Sequence, residues 1–155
     1  MEACIAVEGG YHPNAEVTMG HTIQRVEYFY TSVNDRPGEA LRFLTALADL
    51  GVNLLAFTAV PNGLHQTQLI IFPADGQVFL DRSERAGFAV EGPHSALLVQ
   101  GEDVPGALVN IHERLHDAGI NVFAATGVSG GKGSFGYVIH VRPTDFERAA
   151  ELVGA

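Results

Sequence analysis

The chain repeats itself. Set against itself at an offset of 68 residues, Asp35 to Val60 matches Asp103 to Val128 without a gap, with 10 identities in 26 positions. The identities fall where a chain is punctuated. Asp35, Pro37 and Gly38 lie on Asp103, Pro105 and Gly106, and Leu47, Asp49, Gly51 and Asn53 lie on Leu115, Asp117, Gly119 and Asn121. Ala56, Thr58 and Val60 then meet Ala124, Thr126 and Val128. A fixed period with matching turn residues signals one structural unit used twice. The sequence therefore divides into residues 25–93 and residues 94–155, preceded by an extension over residues 1–24.

Each copy spells the same order of elements. Tyr28 to Val33 is aromatic and β-branched and predicts a strand. Asn34 to Gly38 breaks it, with Asp or Asn as a helix cap and Pro37 suited to a first turn. Leu41, Phe43, Leu44, Leu47 and Leu50 recur at helical spacing, and Gly51 stops that helix. Strands follow at Val52 to Val60 and Gln66 to Phe72, then a helix at Gln77 to Ala86 and a fourth strand at Phe88 to Glu91. The second copy repeats the series through Asp145 to Val153 and lacks the fourth strand. The pattern predicts an α+β fold of two ferredoxin-like βαββαβ units in tandem, with antiparallel sheets and helices on one face. Ala3, Ile5 and Val7 alternate, so Ala3 to Val7 is expected to fill the edge that the missing strand leaves open.

Charge and composition narrow the function. Nine Lys plus Arg stand against 18 Asp plus Glu, and a net charge of -9 repels a nucleic-acid backbone. A single cysteine, Cys4, excludes an intramolecular disulfide and a four-cysteine zinc site. No apolar run reaches the roughly 18 to 20 residues of a membrane helix, and Met1 to His21 lacks the pattern of a secretory leader. The expectation is a cytoplasmic protein with neither nucleic acid nor membrane as partner.

Strand, Asp-x-Pro-Gly, amphipathic helix, Gly-Val-Asn or Gly-Ile-Asn, strand: this series resembles the ACT domain family. It occurs at Asp35 to Leu54 and again at Asp103 to Val122, and the two copies cover about 130 of the 155 residues. The resemblance implies a non-catalytic regulatory protein, a stand-alone tandem member that binds a small molecule, commonly an amino acid, between paired domains. It also implies a homodimer that acts on a partner enzyme or regulator. By the same resemblance the ligand meets Asp35, Arg36, Gly38 and Asn53 in the first copy, and Asp103, Val104, Gly106 and Asn121 in the second. A helix start offers unpaired N–H groups to a carboxylate, and an aspartate suits an ammonium group. The same loops also read as plain helix starts without a ligand. Val104 in place of Arg36, with the anionic Glu102 beside it, weakens the case for a ligand at the second loop and leaves open whether one loop or both are occupied. A structural interaction module without any ligand is the alternative.

Other motifs compete less well. His112-Glu113-Arg114-Leu115-His116 spells a zinc-hydrolase signature on a predicted helix, with both histidines on one face. The aligned residues Leu44 to Ala48 form an ordinary core helix, and no third ligand is fixed among His140, Glu147 and Glu151. Coincidence is the expectation, with no metal and no cofactor. Gly127 to Gly136 suggests a phosphate loop, but the required glycine would fall on Thr126 and Gly133 follows Lys132. A hairpin between two strands is the better reading. Tyr28 and Tyr30 could stack bases, but they stand without any basic run.

Overall fold

The computed structural model describes residues 20–155. The chain runs β1 (His21–Asn34), α1 (Glu39–Asp49), β2 (Leu54–Pro61), β3 (Gln66–Pro73), α2 (Gly76–Arg85), β4 (Glu91–Glu102), α3 (Val109–Asp117), β5 (Val122–Gly131), β6 (Ser134–Val141) and α4 (Phe146–Val153). The order βαββα thus appears twice. All six strands join in one antiparallel sheet of order β2-β3-β1-β4-β6-β5.

The register carries the 68-residue period into space. In β1 and β3, Phe29 faces Ile71 and Asn34 faces Gln66; in β4 and β6, Leu97 faces Ile139 and Glu102 faces Ser134. Between the halves, Tyr28 faces His94 and Val26 faces Ala96, pairs that the offset exchanges with each other. The halves are therefore related by a pseudo-two-fold axis at the Glu27–Ser95 pair.

This pairing corrects two expectations. Phe88 to Val90 are not a strand, and β4 runs unbroken from Glu91 to Glu102. The edge beside β4 is not vacant either, because His21 to Tyr28 of β1 pair along it. Each long first strand serves both halves, its early part alongside the sister's first strand and its later part with its own β3 or β6. Arg25 Nη1 reaches Glu147 on α4 at 2.6 Å, and Ile23 packs into the second half's core. Ala3 to Val7, assigned to that edge from sequence, lie outside the described residues. The expected division between residues 93 and 94 falls inside β4.

All four helices cover one face. Phe43, Leu47 and Phe79 close over Phe29, Leu69 and Ile71 in the first half. Ile111, Leu115, Phe146, Ala149 and Val153 close over Leu97, Val99, Ile139 and Val141 in the second. Burying each large side chain of this kind is worth about 1.5–3 kcal/mol. The C-terminal carbonyl of each half's first helix receives an arginine from its second: Arg82 to Leu50 O, and Arg148 to Ala118 O. Cations suit that end of a helix. On the opposite face Val26, Tyr28, Phe72, Ala96, Leu98 and Val138 form a third cluster, edged by His94 and His140.

Candidate functional site

The helix-start loops are built on left-handed glycines, at φ +93° for Gly38 and +81° for Gly106. A side chain is strained there whatever space surrounds it, so these glycines are required by the backbone itself. Alanine at either position would therefore not separate ligand binding from loop geometry.

Neither aspartate caps its helix. α1 begins after Gly38 and α3 after Leu108, and neither start has a side-chain cap. The capping reading of Asp35 and Asp103 is thereby corrected: the residues between them and the helix carry the turn instead. Asp103 spends one carboxylate oxygen elsewhere, accepting the Ser129 hydroxyl at 2.6 Å. It has no cationic side chain in an ion pair among the described residues.

Asp103, Val104 and Gly106 on the loop, with Val109 at the start of α3, face Gly127, Val128 and Ser129 of β5 and Phe135 and Tyr137 of β6 across a cavity of about 330 Å³. Three of the four residues expected in the second copy are thus brought together. The fourth, Asn121, lies at the far end of β5 in a separate groove of about 400 Å³, with His112, His116, Phe123 and Tyr137. In the first copy Asp35, Arg36, Gly38 and Asn53 are all exposed, with the loop at one end of α1 and Asn53 at the other. Since β1 and β4 are antiparallel, the two loops lie at opposite ends of the sheet and share no site. A larger hollow of about 590 Å³ against α2, lined by Leu80, Asp81, Glu84 and Phe88, holds none of the expected residues.

Residues missed from sequence complete the cavity. Gly127 directly faces Tyr137. A Cβ on Gly127 would lie 2.9 Å from the tyrosine ring. The phenol passes under α3, where its hydroxyl meets His112 Nε2 at 2.9 Å, and burial raises its pKa. That bridge stands between the loop cavity and the Asn121 groove. The signal was available in the repeat: Ala59, Leu69, Leu44 and Pro61 occupy the positions of Gly127, Tyr137, His112 and Ser129.

The zinc signature does not assemble. One His112 nitrogen is engaged by Tyr137, and His140 lies on the helix-free face beside Tyr28 and Phe72. Glu147 pairs with Arg25. No group of three metal-ligating side chains forms among the described residues. The glycine run is a two-residue hairpin, with positive φ at Lys132 (52°) and Gly133 (75°), the signature of a tight primed turn. No described helix is long and apolar enough to cross a membrane.

The fold is α+β and ACT-like, a six-stranded antiparallel sheet with four helices. A Bacteroides thetaiotaomicron protein shares it at TM-score 0.71 and 17% identity, over 85% of this chain and 88% of that one. The ligand-free regulatory subunit of aspartate kinase from Thermus thermophilus aligns at TM-score 0.58 and 16% identity, over 87% and 95%. The Thermus flavus regulatory subunit gives 0.55 at 16% identity, again over 87% and 95%. No protein-family model and no curated protein sequence matches the chain.

Proposed function

We propose that the chain is a non-catalytic regulatory protein that binds a small ligand, an amino acid, at the Asp103 loop. The observation that carries this reading is the Asp103 carboxylate. It is excused from capping its helix, oriented by Ser129, and stationed on a cavity of about 330 Å³. Val104, Val109, Phe135 and Tyr137 would take an apolar side chain, and Asp103 the ammonium group. The structural likeness to aspartate kinase regulatory subunits supports a regulatory role.

In this reading the two βαββα halves, which meet near the start of β4 rather than between residues 93 and 94, are two ACT-like units, and the working form is a homodimer paired along β5. That strand is a sheet edge along which Phe123 and Val128 are 55% and 68% exposed. An unpaired edge is a template for another strand. Antiparallel pairing of two β5 strands about Thr126 would set Val122 of one copy opposite Gly130 of the other. The Asp103 cavity would then meet the Asn121 groove across the seam. Ligand that bridges the seam favours the paired state, and so changes what a partner enzyme or regulator sees.

A thermal-shift screen of the amino acids, followed by sedimentation with and without the best of them, tests the reading. Stabilisation together with a shift towards dimer is expected. The absence of stabilisation by every amino acid would remove it in favour of a ligand-free interaction module.

A further inference from the structure

We infer that the Asp103 cavity selects an apolar amine: it reads the ammonium group and the hydrocarbon body of its ligand, and makes no demand for a carboxylate. The inference rests on the ligand-binding reading above and names the chemistry of that same site.

Charge is the first ground. Of the residues that line the cavity, Asp103 alone is ionic at neutral pH. The position that holds Arg36 in the first loop holds Val104 here, so the side chain best suited to grip a carboxylate is replaced by a hydrocarbon. Its neighbour Glu102 is exposed and adds negative potential. Lys132, at the hairpin tip, makes no ion pair with Asp103. Beyond the backbone N–H groups at the start of α3, an anion entering here would meet one carboxylate and no cationic side chain.

The second ground is the wall. Val104, Leu108, Val109, Val128, Phe135 and Tyr137 supply aliphatic surface and two aromatic rings. Aromatic faces attract organic cations as well as apolar groups. The third ground is the carboxylate's posture. Ser129 donates to Oδ2, and Oδ1 accepts no hydrogen bond among the described residues, which leaves it available to an N–H donor. Such charge-assisted bonds are the strong ones.

The test uses the full chain and calorimetry with four probes: leucine, phenylalanine, and their decarboxylated counterparts isoamylamine and phenethylamine. N-acetylleucine, which keeps the carboxylate and loses the ammonium, is the control. Each amine is expected to bind within about threefold of its amino acid. N-acetylleucine is expected to bind about 10- to 100-fold more weakly than leucine, the value of one hydrogen bond to a charged group. Asp103→Asn should weaken all four probes by a similar factor. If the amino acids bind and the amines do not, the carboxylate is required and the inference is overturned, while the ligand-binding reading stands. If only the amines bind, the inference stands and the amino-acid version of the reading falls. If none of the four binds, both fall. Binding unaffected by Asp103→Asn would place the ligand elsewhere and also overturn the inference.

Discussion

The two helix-start loops share a backbone and differ in what surrounds the aspartate. Both turn on a left-handed glycine, both lead into an uncapped helix, and both sit at the end of a long strand. The first half carries Arg36, Pro61, Ala59, Leu69 and Leu44 where the second carries Val104, Ser129, Gly127, Tyr137 and His112. Proline has no donor to offer Asp35, whereas Ser129 holds Asp103. Leu69 is fully buried, whereas Tyr137 is only partly so and carries a hydroxyl to α3. The two halves share an order of elements and differ in the side chains beside these loops. The repeat supplies the scaffold, and departures from it mark where to look for function.

The largest expected break in this comparison is in ligand binding. Asp103→Asn should weaken binding of an apolar amine about 10- to 100-fold, and Asp35→Asn should leave it unchanged. Asparagine can still accept from Ser129, and neither aspartate caps a helix, so both variants should melt close to the parent. Calorimetry on the pair decides. Equal losses in the two variants would mean that the loops are functionally equivalent.

Next in size is a packing effect confined to the second half. Gly127→Ala places a methyl 2.9 Å from the Tyr137 ring, and overpacking of this kind costs about 1–3 kcal/mol. The double variant Gly127→Ala with Tyr137→Leu recreates the Ala59–Leu69 pair of the first half and should recover much of that loss. A double-mutant cycle by urea unfolding measures the coupling. Additive losses would show that glycine and tyrosine are not a matched pair.

The sequence made the repeat legible because Asp, Pro, Gly and Asn recur at turns, where their backbone chemistry is needed. Helices and strands followed from that frame: β2, β3, β5, β6 and all four helices stand close to their expected places, while β1 and β4 begin well before theirs. The sharing of β1 and β4 between the halves was hidden by local chemistry. Gln24-Arg25-Val26-Glu27 reads as polar, because its alternate residues face the surface or pair with α4, and Gly92-Pro93 reads as a break inside what is one strand. The loop residues could be placed from sequence. The repeat marks Ser129 and Tyr137 only as departures, because their roles depend on contacts across a hairpin and under a helix, over sequence separations of 26 and 25.

A smaller effect is expected at the bridge between cavity and groove. His112→Leu installs the first half's Leu44 and strips the Tyr137 hydroxyl of its partner, at a cost of about 1 kcal/mol. Adding Tyr137→Leu removes the stranded hydroxyl, so the pair should lose less than the sum of the singles. The pair should also change which amines bind, because it removes the wall between the two hollows. Unchanged ligand preference would deny the bridge that role.

The smallest effect is one of pH and lies on the helix-free face, where His140 takes the place of Phe72. Tyr28, Phe72 and Phe123 surround it, and burial lowers its pKa from the ordinary 6.5. The unfolded chain then binds this proton more readily than the folded one, so stability rises with pH across the interval between the two values. The contribution is complete above about pH 6.5 and is lost as pH falls from there towards the folded-state pKa. His140→Phe, the residue of the sister position, should flatten this acid slope while leaving the melting temperature near pH 8 almost unchanged. Melting curves from pH 8 to pH 5 measure it. Parallel slopes in the two proteins would mean that His140 keeps its proton equilibrium on folding, and that the two halves differ here in shape alone.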